Sequence, residues 1–144
     1  MNQQDIKRAG LKVTVPRIKI LEIMEGADSR HVTAEHIHRK LTLKGENVGL
    51  ATIYNVLAQF EASGLILRRY LQKGQACYEI NRGEHHDHMV CTQCGRIVEF
   101  VDQTIEKRQE SIAKKHGFTL TDHSLVMYVD CTAKKCKYLN QSTD

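Results

Sequence analysis

Two pairs of cysteines bracket the second half of this chain. Cys91-Thr92-Gln93-Cys94 forms one pair and Cys131-Thr132-Ala133-Lys134-Lys135-Cys136 the other. Zinc takes four soft ligands in a tetrahedron, and a gap of two or four residues lets one turn supply two of them, so the pairs predict a closed structural zinc site. Just upstream stands His85-His86-Asp87-His88. If that run is extended, successive side chains point to opposite faces, so His86 and His88 share one face and His85 and Asp87 the other. One short segment can then feed two metal sites built from nitrogen and carboxylate ligands. Completing them needs partners from elsewhere in the chain. His31, Glu79, Glu99, Glu106 and His123 are the candidates, and spacing alone does not choose among them. Cys77, the fifth cysteine, reads as a packed thiol in a strand, and His36, His38 and His116 as structural or solvent-facing side chains.

These groups need elements to position them. Residues 2–9 read as a short helix ended by Gly10, and Pro16 suits the first position of a second helix running to about Glu25. Thr33 is a fitting N-cap for a helix over 34–43. A fourth helix is predicted over 50–63, with Ile53, Val56, Leu57 and Phe60 on one stripe and Ala51, Asn55, Ala58 and Gln59 facing away. Strands over 65–71 and 76–80, joined by residues 72–75, follow as a hairpin. Short helices followed by a hairpin make a winged helix-turn-helix pattern. Residues 81–84 read as a linker. Beyond it come strands at 89–91 and 96–101, a helix capped by Asp102 that runs to His116, and a strand over 118–129. The expected class is α+β, with a winged-helix domain over residues 1–82 and a small α/β domain over 83–144.

Charge separates the same two regions. Residues 1–80 hold 12 Lys+Arg against 8 Asp+Glu, whereas residues 81–144 hold 9 of each. The basic half contains the helices, and the small uncharged outer face of the fourth helix suits entry into a DNA major groove, with phosphate contacts supplying most of the affinity. Neither an apolar run of about eighteen residues nor a charged start with an apolar stretch occurs, so no membrane span or signal peptide is expected. Reduced cysteines and metal binding fit a cytoplasmic protein. A metal hydrolase would need an open metal position beside a general base, and no His-Glu-x-x-His helix is present. A non-enzymatic function is expected.

Taken together, Gly10-Leu11-Lys12-Val13-Thr14, Gly49-Leu50-Ala51-Thr52-Ile53-Tyr54, His85-His86-Asp87-His88 and Leu120-Thr121-Asp122-His123-Ser124 resemble the ferric uptake regulator (Fur) family over nearly the whole chain. The resemblance implies an N-terminal winged-helix domain, a C-terminal dimerisation domain and an iron(II)-responsive repressor. Such a repressor binds double-stranded DNA at AT-rich palindromes as a dimer loaded with divalent metal. It places structural Zn2+ on Cys91, Cys94, Cys131 and Cys136, and a regulatory Fe2+ on His31, Glu79, His86, His88 and Glu99, where Mn2+ or Zn2+ are alternatives. A further site falls on His85, Asp87, Glu106 and His123. For DNA it points to Lys12 in the minor groove, and to Tyr54 with Thr52 and Asn55 in the major groove. Many relatives carry Arg at position 55, so Asn55 alters the expected base preference. Peroxide-sensing relatives usually have Asp at position 99. Two other readings are a zinc sensor, in which Cys77 adds a soft ligand from the strand face of Glu79, and a metal-buffering module without DNA binding.

Overall fold

The computed structural model describes residues 2–72 and 74–132, and the chain divides after Gly83 into two compact units. Cys136 lies outside the described residues.

The first unit is helical with a hairpin at its end. Helix α1 (Gln3–Arg8) starts with a reciprocal cap: the Asn2 side chain accepts from Gln4 N–H, and Asp5 accepts from Asn2 N–H. It ends at Gly10, whose φ of +81° lets Leu11 N–H return to the Ile6 carbonyl. Helix α2 (Val15–Gly26) is capped by Thr14, so Pro16 takes its second position rather than its first. The missing N–H costs nothing there, because the first turn has no intrahelical acceptors for its N–H groups. Helix α3 (Ala34–Leu43) is capped by Thr33, and α4 (Leu50–Ala62) follows Gly49.

Ile20, Leu21, Ile37, Leu41, Ile53, Val56, Leu57 and Phe60 from these helices bury together with Ile6 of α1. Strands β1 (Ile66–Gln72) and β2 (Gln75–Ile80) form an antiparallel hairpin. Alternation gives it two different faces. Ile66, Tyr78 and Ile80 join the helical core, while Leu67, Arg69, Cys77 and Glu79 take the opposite parity. Val32 adds a single bridge to Tyr78, with hydrogen bonds of 3.0 and 2.7 Å. Phe60 is wholly buried. Phe60→Ala is expected to destabilise this unit by about 3–5 kcal/mol, read as a lower urea midpoint with an unchanged slope.

The described residues of the second unit form a three-stranded sheet in the order β4-β3-β5, with one helix. Strand β3 (Asp87–Cys91) pairs antiparallel with β4 (Ile97–Phe100), helix α5 (Gln103–Lys115) follows, and β5 (Val126–Val129) returns parallel to β3. Asp102 caps α5 by accepting from Thr104 and Ile105 N–H. The strand expected over 118–129 is therefore confined to its last four residues. A strand persists only while it has a partner, and the first residue of β3 that β5 pairs with is His88, opposite Val126. The segment before it, residues 118–125, is irregular and carries His123.

Candidate metal centres and nucleic-acid face

The two short-spaced cysteine pairs begin at the end of β3. Cys91 closes that strand, and residues 92–94 turn so that Cys94 N–H donates to the Cys91 sulfur at 3.4 Å. Gly95, at φ +78°, allows the chain to reverse into β4. Parallel pairing of β5 with β3 then delivers Cys131 to the same corner. Its sulfur lies 3.4 Å from that of Cys91 and 3.6 Å from that of Cys94. A tetrahedral zinc with bonds of ~2.3 Å separates its sulfurs by about 3.8 Å, so the Cys131 sulfur already stands near that spacing from each of the other two. The Cys94 N–H, followed by the neighbouring thiols, draws the Cys91 thiol down to about 7 against the opposing effect of desolvation. A group shifted this way favours the thiolate that zinc requires.

The alternating run behaves as its parity demands. Strand β3 begins at Asp87, so His86 and His88 fall on one side with their rings 4.8 Å apart, edge to face. Glu99 of β4 sits directly opposite His88, and its carboxylate lies 3.6 Å from His86 Nε2. Both histidines are buried. In the first unit, the Val32 bridge to Tyr78 sets His31 beside Glu79, and His31 Nε2 lies 2.9 Å from a carboxylate that is fully buried. Arg69 Nε donates to the other oxygen of Glu79 at 3.1 Å.

On the other side of β3, Asp87 gathers a second set. His85 Nε2 is 3.3 Å from Asp87 and 3.2 Å from Glu106, while His123 reaches Glu106 at 2.8 Å and Asp87 at 3.8 Å. One ligand atom from each of the four residues lies within 4.8 Å of every other. Asp87 is completely buried, yet among the described residues neither of its carboxylate oxygens has a hydrogen-bond partner, because the imidazoles near it lie at ion-pair distance without hydrogen-bond geometry. An unsatisfied buried carboxylate is costly. A divalent cation held by Asp87, His85, Glu106 and His123 would satisfy it, so the donor set fits a metal. Hydrogen bonding from His123 holds the Glu106 carboxyl below its ordinary range. Its stabilisation is fully present above the unfolded carboxylate pKa and is lost as pH falls through the lowered one.

Cys77 is buried, and desolvation pushes its thiol up to about 11. It belongs to none of the described metal clusters. Neither do His36, whose burial lowers its pKa, His38, or His116, whose Nδ1 lies 2.9 Å from the Ile112 carbonyl oxygen.

Lys12, Thr52, Tyr54 and Asn55 are all exposed. Three contacts organise this face that sequence reasoning had not reached. Tyr54 donates its hydroxyl to Glu35 of α3 at 2.5 Å, a bond that, ahead of burial, lifts the phenol to about 12. Arg17 Nη1 donates to the Lys12 carbonyl at 2.6 Å, and Nη2 donates to the Gln59 side chain on the outer face of α4. Arg17 therefore ties the segment carrying Lys12 to the helix carrying Tyr54. No periodicity marks such a residue. The signal available was its place one turn into α2, within reach of the segment before the cap.

A match to the ferric uptake regulator family runs over residues 8–128. The chain belongs to the ferric uptake regulator family. It is 51% identical over 128 residues to the ferric uptake regulation protein of Legionella pneumophila, covering 89% of this chain and 94% of that one. Identity to the Cupriavidus metallidurans protein is 49% over 134 residues, covering 93% and 94%.

Among solved structures, the Vibrio cholerae ferric uptake regulator superposes with a TM-score of 0.81 at 46% identity, covering 90% of this chain and 98% of that one. The Francisella tularensis regulator, solved with iron, gives 0.80 at 42%, covering 85% and 93%. The Helicobacter pylori regulator, described as having three functional metal binding sites, gives 0.78 at 31%, covering 98% and 90%. This Fur-family chain is thus a metal-binding transcriptional regulator of iron uptake and not an enzyme. Its α+β class, with a winged helix at the N-terminal end, is that of the solved Fur structures. Among the described residues, no helix is long and apolar enough to cross a membrane.

Proposed function

We propose that this chain is an iron(II)-responsive repressor that binds AT-rich palindromic operator DNA as a metal-loaded dimer in the cytoplasm. Residues 1–82 serve as the DNA-binding domain and residues 83–144 as the metal-binding dimerisation domain. The observation that carries this reading is that each unit presents imidazole and carboxylate ligands around buried ones: half-buried His31 with buried Glu79 in the first, and buried His86 and His88 with half-buried Glu99 in the second. These five would hold the regulatory ion, which when bound supplies a cross-link between ligands from both domains. Ligands without thiolate suit iron(II) or manganese, and the Francisella relative was solved with iron, although affinity order alone favours zinc. Cys77 stands outside the ligand clusters among the described residues, which weighs against its adding a soft ligand in the zinc-sensing reading. Cys91, Cys94 and Cys131, with Cys136, would hold the structural zinc. His85, Asp87, Glu106 and His123 would hold a further ion.

Fixing the domains selects one arrangement of the two recognition helices in a dimer, so that both meet successive major grooves. On each helix the Tyr54 hydroxyl is already committed to Glu35, leaving its ring to touch a thymine methyl. Asn55 can pair with adenine, which suits an AT-rich site. Dimerisation is supported by the apolar residues that the second unit leaves exposed, among them Val101, Ile112, Phe118 and Tyr128.

Sedimentation of the metal-loaded chain with a palindromic AT-rich duplex tests this reading. Two chains per half-turn-symmetric site are expected, with much weaker binding to a duplex of scrambled sequence. Equal binding to both duplexes would overturn it. Lys12→Ala is expected to weaken binding to all sequences alike and to reduce the slope of log affinity against log salt by about 0.9. A salt titration by fluorescence anisotropy reads that slope.

A further inference from the structure

The hairpin face that carries Glu79 also carries a cation. Glu79 is fully buried and both carboxylate oxygens are engaged, Oε2 near His31 Nε2 at 2.9 Å and Oε1 by Arg69 Nε at 3.1 Å. Arg69 stands opposite Cys77 in the β1–β2 register and so shares the parity of Glu79, two residues along. Its side chain is only 20% exposed. A buried carboxylate without a counter-charge is strongly disfavoured, and a guanidinium supplies both charge and a directed donor.

We propose that Arg69 is the resident counter-ion of Glu79 and sets the metal concentration at which the regulatory site fills. The proposal rests on the reading that His31 and Glu79 are ligands of that site. Two effects act in the same direction. In the metal-free chain Arg69 stabilises the Glu79 carboxylate, so an incoming cation competes for an anion that is already paired. Once a divalent ion is held by Glu79, the guanidinium is a like charge a few ångströms away, and arginine cannot relieve it by losing a proton. Both lower the affinity. A sensor gains from this, because a site that fills at trace metal has no range over which to respond. A neutral side chain at position 69 removes both effects and moves the response to lower metal.

The test is an anaerobic titration of the zinc-loaded full chain with cobalt(II), following the visible absorption of the bound ion. The transition to be read is the one lost in Glu79→Gln. Arg69→Gln, which keeps a hydrogen-bond donor but no charge, is expected to lower the half-saturating cobalt by roughly tenfold. Arg69→Lys keeps the charge and is expected to stay within about threefold of the parent. Arg69→Met, which keeps the apolar stem, is the second neutral variant should Arg69→Gln fail to fold by circular dichroism, and it is expected to shift the same way. Unchanged or weaker cobalt binding in a folded neutral variant would overturn the role of Arg69 while leaving the site intact. If Glu79→Gln took up cobalt like the parent, the assignment of the site would fall, and the proposal with it.

Discussion

His88→Ala is expected to abolish the metal-dependent gain in operator affinity while leaving the thiolate-bound zinc in place. His88 is 1% exposed, on the central strand of its sheet, with Glu99 opposite and His86 beside it. Its backbone N–H is bonded to the Leu125 carbonyl at 3.1 Å, so the strand does not depend on the imidazole. The variant removes a ligand and leaves the sheet its hydrogen bonds. Coupling between an effector and a second ligand usually amounts to roughly 5–150-fold in affinity, and that whole factor is expected to disappear. Anisotropy on an operator duplex, with and without iron(II) or manganese, reads the gain, and elemental analysis reads the zinc. Operator affinity that responds to metal as in the parent would contradict the assignment.

Cys94→Ser is expected to have the largest effect on stability. The Cys131 sulfur stands 3.4 Å from that of Cys91 and 3.6 Å from that of Cys94 where the two paired strands end. Apparent zinc-binding free energies in small thiolate domains are on the order of 10–16 kcal/mol. A three-stranded sheet whose helix α5 has no buried residue among those described has little apolar core to replace that contribution. Loss of zinc is therefore expected to melt the second unit at ordinary temperatures and to dissolve the dimer, while the first unit, with its own core, keeps a cooperative transition. Calorimetry should then resolve one surviving transition, and sedimentation a single chain. One zinc per chain with an unchanged melting profile would show that these cysteines are not its ligands.

The ligand types were legible before the fold because their spacing is local. The short cysteine gaps and the alternation of four consecutive residues need only a turn and a strand to be interpreted. The helical stripe of Ile53, Val56, Leu57 and Phe60 is likewise buried as its periodicity requires. Contacts that depend on register were not legible. The Val32 bridge that sets His31 beside Glu79 is a single pair between residues 46 apart in sequence, with no strand-like run to announce it. Arg69 meets Glu79 only through the pairing of β1 with β2, and the parity of 69 and 79 means nothing until that register is known. Asp87 was expected to face away from His86, but the lack of a hydrogen-bond partner for its carboxylate among the described residues is a property of the surroundings that folding builds. The strand over 118–129 was overextended for the same reason: apolar residues propose a strand, and the partner decides its length.

In the proposed mechanism, a divalent metal held by His31, Glu79, His86, His88 and Glu99 turns on DNA binding. Its most direct test is an anaerobic titration of the zinc-loaded chain with iron(II), manganese and zinc, with affinity for an AT-rich palindromic duplex recorded at fixed salt. Iron(II) or manganese is expected to raise that affinity by at least about fivefold, in proportion to occupancy of the site. Affinity that stayed flat with every metal, or rose with zinc alone, would contradict the account.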